Sequence, residues 1–260
     1  MTDFHHVAEE YDKISLEYQE SKLLPFRIHV EEHTSFGLLP DLTGRSVADL
    51  ACGEGIYARK LKRRGAMRVV GVDISAEMIS LGRRAEEAEP LGIEYVLADV
   101  ASADMDEQFD IAYCAFLFNY ATSRAELRSL IQSVARLVRP GGLVVGCNDY
   151  PENPPTMGDQ YRRYGFVKRS ATERAEGSTI TYRFFNPDGT SFEIDNYYLP
   201  TDVYRSQFAA AGFTSFDWVM PEVSPEGRDA YDPGFWDVYL EAPPMVSFTA
   251  TAGKASLSSP

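Results

Sequence analysis

From residue 45 to residue 150 the apolar positions alternate between two rhythms. Short runs that are almost wholly apolar, "SVADLA" (46–51), "RVVGVD" (68–73), "IEYVLADV" (93–100), "FDIAYCAF" (109–116) and "LVVGCND" (143–149), have the length and β-branched content of strands. Between them lie longer segments with helical spacing: "IYARKLKRRG" closed by Gly65, "SAEMISLGRRAEEAE" with Ser75 as N-cap, and "RAELRSLIQSVARLVR" stopped by Pro140-Gly141-Gly142. Strands alternating with helices of this length predict βαβ units and a parallel sheet. Upstream, residues 9–36 read as helical, with Ile14, Leu16, Leu23, Leu24, Phe26, Ile28 and Val30 as apolar positions and a break at Pro25.

The texture changes after residue 150. "PENPP" (151–155) is a proline-rich loop, and a short segment follows around 161–166. "STITYRFFNPDGTSFEIDNYYL" (178–199) predicts two strands joined at Asn186-Pro187-Asp188-Gly189, an antiparallel hairpin. "TDVYRSQFAAAG" (201–212) predicts a capped helix and "DVYLEAP" (237–243) the last strand, after which the small, polar composition predicts disorder. The expected organisation is a helical lid over 1–40, a ligand-binding core over 41–150, a cap with the final strands over 151–242 completing the same domain, and a flexible tail over 243–260.

At 260 residues and 44% hydrophobic content the chain can bury one sizeable core. Its 25 Lys and Arg against 39 Asp and Glu, a formal charge of -14, repel phosphate backbones and anionic membranes. The densest basic run, Arg59-Lys60-Leu61-Lys62-Arg63-Arg64, falls on a predicted helix and is expected to face solvent. Nucleic acid and membrane are therefore not expected partners; a small molecule is, acting on a monomer or homodimer. The three cysteines, Cys52, Cys114 and Cys147, lack metal-ligand spacing and a disulfide count. With no apolar leader and no membrane-length segment, the expectation is a soluble cytoplasmic protein.

The chemistry centres on "VADLACGEGIYARKL" (47–61). Gly53-Glu54-Gly55-Ile56-Tyr57-Ala58 fits the loose glycine fingerprint of dinucleotide sites, a weak signal alone. Asp49, four residues before Gly53, argues against a pyrophosphate, since like charges a few Å apart repel by about 1 kcal/mol in water and several in a cleft. S-adenosylmethionine, with an ammonium, a sulfonium and no phosphate, suits acids instead. Asp73, 18 residues after Gly55, ends the second strand where it can accept from ribose hydroxyls, and Asp99 ends the third where it can accept from an adenine amino group. The competing reading makes all three ordinary capping acids.

In order and spacing, "VADLACGEG", "VVGVD", "YVLADV", "FDIAYCAF" and "LVRPGGLVV" resemble the class I S-adenosylmethionine-dependent methyltransferases over about 45–147, with further likeness in "YDKISLEY" and "YLPTDVYRSQFAAAGF". The resemblance implies an α/β fold: a Rossmann-like seven-stranded sheet with helices on both faces and its last strand antiparallel, an N-terminal helical lid and a C-terminal hairpin cap. It also implies that Asp49, Ala51, Gly53 and Gly55 flank the methionine moiety, that Asp73, Ile74 and Met78 surround ribose and adenine, that Asp99 and Val100 hold the adenine edge, and that Ala115 and Phe116 lie beneath the sulfonium. The start "YDKISLEYQE" with "LPFRIHVE" is most similar to small-molecule N-methyltransferases of the toxoflavin synthase type.

Tyr11 and Tyr18 are seven apart and share a helix face. They read either as core aromatics or, as the resemblance implies, as lid residues over the cofactor and candidate catalytic groups. "HVEEH" (29–33) places His29 and His33 one turn apart, but Val30 stands where a metalloprotease needs its glutamate, so no metal is expected. "NDYPENPPT" (148–156) reads as a substrate-side loop or as a rigid connection. Of the 32 aromatic residues, 19 lie between 150 and 240, the expected cap, where rings such as Tyr182, Phe184, Phe192 and Tyr197 suit a flat ligand or simply pack the hairpin. The expected activity is methyl transfer to a nitrogen or oxygen of a small, flat, heteroaromatic metabolite of secondary metabolism. The alternatives are a protein or RNA methyltransferase, or a non-catalytic S-adenosylmethionine-binding regulator.

Overall fold

Each short apolar run of the first half becomes a strand, and all but the edge strand over Ile93–Leu97 are largely buried on both faces, as parallel strands covered by helices must be. The computed structural model describes residues 4–103, 105 and 108–254. Strands β1 (Ser46–Leu50), β2 (Arg68–Asp73), β3 (Ile93–Leu97), β4 (Phe109–Ala115) and β5 (Val138–Asp149) run parallel. With β9 (Phe213–Val219) and β10 (Met245–Ala252) they form a seven-stranded sheet in the order β3-β2-β1-β4-β5-β10-β9, β10 antiparallel to both neighbours. A separate antiparallel sheet joins β6 (Phe166–Ser170), β7 (Thr179–Phe185) and β8 (Ser191–Tyr197).

Alternation along the strands gives the sheet two cores. Val47, Val69, Ile111 and Val145 face one side, against Phe36 of α2 (His33–Gly37) and Tyr57, Ala58 and Leu61 of α3 (Ile56–Arg63). Ala48, Leu50, Val70, Val72 and Val144 face the other, against Leu127, Leu130, Ile131 and Val134 of α5 (Arg124–Leu137) and Phe208 of α6 (Thr201–Ala210). Burying each of these valine, leucine and isoleucine side chains contributes about 1.5–3 kcal/mol. Helix α4 (Ala76–Ala88) starts as expected at Ser75, whose hydroxyl accepts from the Met78 amide.

Several local expectations are corrected. The stretch read as a disordered tail holds β10, wedged between β5 and β9 with Val246, Phe248 and Ala250 buried. Its alternating Ser, Thr and Ala look like linker composition, yet small and β-branched side chains are what a strand packed on both sides accommodates; residues 255–260 of that expectation lie outside the described residues. "DVYLEAP", read as a strand, instead begins with α8 (Asp237–Glu241), which follows the short α7 (Pro225–Asp229). Strands β6 and β9 were not foreseen. Thr201 is the first residue of α6 rather than its cap, and its hydroxyl donates to Glu152 at 2.6 Å.

At the N-terminus, α1 (His5–Ser21) ends before Pro25, and Pro25 opens the next helical segment, where a missing N–H costs nothing. That segment widens over Arg27–Glu32 into turns closed by i→i+5 hydrogen bonds before continuing as α2. Leu16, Leu23 and Ile28, expected on an apolar face, are 65%, 60% and 42% exposed. The expected Leu24, Phe26 and Val30 are buried, and Phe4, Val7 and Tyr18 join them on the buried face.

Candidate functional site

A cleft opens at the carboxyl ends of the strands, where the order reverses between β1 and β4. Ligands of open α/β sheets bind at this point because the two diverging connections leave a crevice. Ala51 and Gly53 line it from the turn after β1, Asp73 and Ile74 from the end of β2, Asp99 and Val100 from the loop after β3, and Ala115 and Phe116 from the end of β4. Leu117, Tyr120 and Leu130 complete one wall, and Phe4, Val7, Tyr11 and Tyr18 of the N-terminal segment form a roof.

Backbone strain concentrates here. Among the described residues, only Ala51 (φ 61°) and Phe116 (φ 63°) are non-glycines in the left-handed region, and both line the cleft. Such residues cost of order 1–3 kcal/mol and persist where surrounding structure imposes them. Gly53 (φ 55°) faces the cleft, where a methyl group would come no closer than 3.9 Å to the Met78 sulfur and 4.0 Å to the Tyr18 ring. Gly55 answers to packing instead: a Cβ there would lie 2.2 Å from the Tyr95 hydroxyl.

Asp73 holds the glycine turn and lines the cleft at once. Its Oδ2 accepts from the Gly53 amide at 2.7 Å and its Oδ1 from the Ser75 amide at 2.9 Å. Burial pushes its pKa up, opposed by the amides of Ser75, Gly53 and Ile74. Asp99 caps its own turn by accepting from the Ala101 amide at 2.8 Å. The capping role and the exposure to the cleft therefore coexist in both acids. Each Asp73 oxygen keeps acceptor capacity beyond its amide bond.

Three expected contacts are displaced from the cleft. Asp49, read as pointing into it, is wholly buried beneath the turn, and neither of its oxygens completes a hydrogen bond among the described residues. It shares the pleat face of Val47, which turns it toward α3. Burial pushes its pKa up to about 7, against the opposing pull of Lys22 and the Ala58 amide. Met78 is fully buried behind Gly53, and Gly55 is packed on Tyr95. The remaining ten expected residues, Tyr11, Tyr18, Ala51, Gly53, Asp73, Ile74, Asp99, Val100, Ala115 and Phe116, come together around one space.

The roof is tied down at two points. Asp12 accepts from the Ser75 hydroxyl and from the Glu77 amide, so α1 is pinned to the first turn of α4, where backbone amides favour an anion. The Tyr11 and Tyr120 hydroxyls meet in a hydrogen bond, with ring centroids 6.1 Å apart. Burial and the neighbouring Tyr120 push the Tyr11 pKa well up, so both phenols stay protonated. Tyr18 packs edge-on to Tyr11 at 5.1 Å and accepts from Lys22 Nζ at 3.1 Å.

Behind this wall lies a second, narrower pocket. Tyr11, Tyr18, Phe116 and Tyr120 line both spaces, and Tyr182, Phe184, Ile194 and Asn196 of the small sheet close the second with Arg27, Asn119 and Met245. Phe192 and Tyr197 do not line it; Phe192 packs on Tyr18 at 6.2 Å.

Other candidates resolve into structure. The His29 ring hydrogen-bonds the Ser224 hydroxyl at 3.1 Å and packs on Tyr231 and Trp236, and the Trp236 indole N–H donates to Gly227 of α7. The "NDYPENPPT" loop lines neither pocket; Asn148 donates to the Tyr204 hydroxyl and Asn153 to the Ala242 carbonyl. The basic run is not a free face: Arg59 is buried against Glu86 and Glu89, Lys60 pairs with Glu32 and Arg63 with Glu89. The three cysteines are buried free thiols. No described helix is long and apolar enough to cross a membrane.

Sequence reasoning missed Phe4, Val7, Leu117, Tyr120 and Leu130 in the cleft and Arg27, Asn119 and Asn196 behind it. Phe4 was detectable, since Phe4, Tyr11 and Tyr18 recur every seven residues. Asn119 and Tyr120 belong to a single turn of 3-10 helix (Leu117–Tyr120), too short to carry a period.

Comparison with known proteins agrees with this geometry. Residues 47–142 match the family model described as a methyltransferase domain. A ubiquinone biosynthesis O-methyltransferase of Stutzerimonas stutzeri is 33% identical over 123 residues, 46% of this chain and 49% of that one. The chain thus spans about half the length of the curated relatives it matches. The structure of an S-adenosylmethionine-dependent methyltransferase from Mesorhizobium loti superposes with a TM-score of 0.59 at 18% identity, covering 84% of this chain and 95% of that one. The sugar N-methyltransferase KedS8 from Streptoalloteichus sp ATCC 53650 does so with a TM-score of 0.56 at 19% identity, covering 97% and 94%. Likeness at these identities establishes the fold.

Proposed function

Because residues 47–142 form a methyltransferase domain and the chain carries the class I S-adenosylmethionine-dependent methyltransferase fold, we propose that the protein binds S-adenosylmethionine in the cleft and methylates a nitrogen or oxygen of a small, flat, heteroaromatic metabolite. The observation that carries this reading is the composition of the cleft wall. Among the described residues it offers two carboxylates, Asp73 and Asp99, and no cationic side chain. A pyrophosphate would meet repulsion there, whereas a nucleoside bearing a sulfonium and an ammonium would not. The buried Asp49 carboxyl beneath the turn, without a completed hydrogen bond, fits an ammonium-bearing group near that turn.

Bound S-adenosylmethionine would supply the methyl group by in-line displacement at carbon. The chain's contribution is binding, alignment and exclusion of water. Asp73 and Asp99 would accept from ribose and adenine, Gly53 leaves room at the turn, and Ala115 and Phe116 form the surface under the reacting centre. Tyr11 and Tyr18, shared by both spaces, would align donor with acceptor, and the Tyr11 phenol, kept protonated by burial and the neighbouring Tyr120, would serve as a hydrogen-bond donor rather than a base. The open aromatic pocket behind them supports an enzyme over a non-catalytic binder, whose second space has no reason to stay unfilled.

Calorimetry with S-adenosylhomocysteine and with NAD tests the cofactor. Micromolar binding of the first and none of the second is expected, and the reverse overturns the reading. Incubation with methyl-labelled cofactor and a small-metabolite extract, followed by identification of the labelled product, tests the acceptor; label appearing in protein or RNA instead would reject a small-molecule substrate.

A further inference from the structure

The second pocket is not uniformly apolar. Asn119 is 1% exposed, and its Oδ1 accepts from the Asp149 amide at 3.0 Å. That bond fixes the side chain's orientation, because the atom facing a backbone N–H must be the oxygen. The remaining atom is therefore an NH2 group, and it has no partner among the described residues. Arg27, 4% exposed, pairs through Nη1 with Glu31 at 3.0 Å and leaves its Nε without a partner. Burial opposes the Arg27 charge, but Glu31 beside it keeps the guanidinium protonated.

A buried donor without an acceptor costs about 1–3 kcal/mol. Two such donors among the lining residues, with Phe116, Tyr182 and Phe184 beside them and no carboxylate lining the pocket among the described residues, form a half-completed recognition site. The missing half is a hydrogen-bond acceptor. An amine cation finds no counter-charge in this lining and meets a guanidinium, whereas a ring carrying an ionised oxygen satisfies Asn119 and Arg27 and stacks on the aromatic faces.

We propose that the second pocket takes a small aromatic or heteroaromatic acid, a ring bearing a phenolate or enolate oxygen, with that oxygen held by Asn119 Nδ2 and Arg27 Nε. The proposal rests on the methyl-transfer reading and narrows its acceptor: a small ring with an acidic oxygen, rather than an amino sugar or a carrier-bound chain.

The test uses 4-nitrophenol, whose phenolate is coloured, and 4-nitroaniline, its neutral amine counterpart. Both are titrated into the full chain with and without S-adenosylhomocysteine. The phenolate should bind at least tenfold more tightly than the aniline, and bound 4-nitrophenol should ionise at least one pH unit below the free compound. Asn119→Asp keeps the oxygen that accepts from Asp149 and replaces the donor with a carboxylate oxygen; it should abolish the preference while S-adenosylhomocysteine affinity stays within twofold. Arg27→Lys, which keeps the charge beside Glu31 and removes Nε, should weaken phenolate binding at least fivefold. Equal binding of the two probes, or undiminished phenolate binding in both variants, overturns the proposal. Discrimination that persists in a protein unable to bind S-adenosylhomocysteine refutes the methyl-transfer reading and leaves this one standing.

Discussion

The Tyr11 and Tyr120 hydroxyls, 109 residues apart in sequence, are hydrogen-bonded to each other across the boundary between the two pockets. The bond joins α1 to the turn after β4, so the roof of the cleft and the strand end beneath it are held by a contact that a ligand can compete for. Removing the hydroxyl with Tyr11→Phe should cost about 1 kcal/mol of stability. Turnover should fall more with Tyr11→Ala, which also removes the ring between donor and acceptor. Thermal melts compared with single-turnover rates check this; a stability loss of about 3 kcal/mol or more with unchanged turnover would make Tyr11 a core residue.

The second tie is Asp12. Asp12→Ala removes the acceptor of the Ser75 hydroxyl and the Glu77 amide and should free α1 without disturbing the sheet. Amides of residues 4–21 should then exchange at least tenfold faster in the ligand-free protein, while those of α5 are unchanged. S-adenosylhomocysteine should restore protection if it occupies the cleft that Val7, Tyr11 and Tyr18 cover. Equal, strong protection of α1 in every state would identify it as a permanent part of the core.

The sequence offers Asp73 either as a ribose acceptor or as a capping acid, and a pure ribose acceptor could be lost without harm to the ligand-free protein. The structure gives Asp73→Ala a stability cost as well, since the Gly53 and Ser75 amides lose their acceptors. Two charge-assisted bonds of about 1.5–3 kcal/mol each, less the relief of unburying a carboxylate, predict a clear drop in the thermal midpoint together with at least tenfold weaker S-adenosylhomocysteine binding. An unchanged midpoint with lost affinity would restore the simpler reading.

The five parallel strands and their glycine turn were legible because strands buried on both faces leave continuous apolar runs, and their acidic ends mark where the sheet stops. The hairpin was legible from Asn186 to Gly189, where the turn closes with the Asn186 amide donating to Thr190 at 2.9 Å. What the runs do not encode is facing. Asp49 follows Val47 by two residues and so lies under α3 rather than in the cleft, an outcome that alternation predicts once the strand's register is known. β10 was lost for a different reason: its burial comes from two strands far away in sequence, so its composition alone looks like a linker. Arg27 and Asn119 lie on irregular turns, where no period announces which side chain turns inward.

The last prediction turns on Asp49 and pH. Its folded-state pKa, pushed up to about 7 by burial, lies above the ~3.9 of an unfolded aspartate. The folded chain therefore keeps this proton over a range where the unfolded chain has lost it, so stability falls as pH rises from about 4 to about 7 and levels off above. At ~1.36 kcal/mol per pH unit the ionised carboxylate costs of the order of 4 kcal/mol at pH 8. Lys22 tempers that cost, and Asp73 nearby adds to it. Asp49→Asn should match the wild type in stability near pH 4, exceed it increasingly up to about pH 7 and hold that advantage at pH 8. A ligand carrying an ammonium near Asp49 reverses the preference by favouring the ionised form. S-adenosylhomocysteine should consequently bind the wild type more tightly as pH passes upward through 7, with a proton released on binding. The Asp49→Asn protein should bind at least tenfold more weakly and with no such pH dependence. Calorimetry in buffers of different ionisation enthalpy counts the proton, and denaturant melts across the same range follow the stability. A variant that gains stability at high pH while keeping wild-type affinity would show that Asp49 is a buried structural carboxyl, and Asp73 and Asp99 would then have to carry ligand recognition alone.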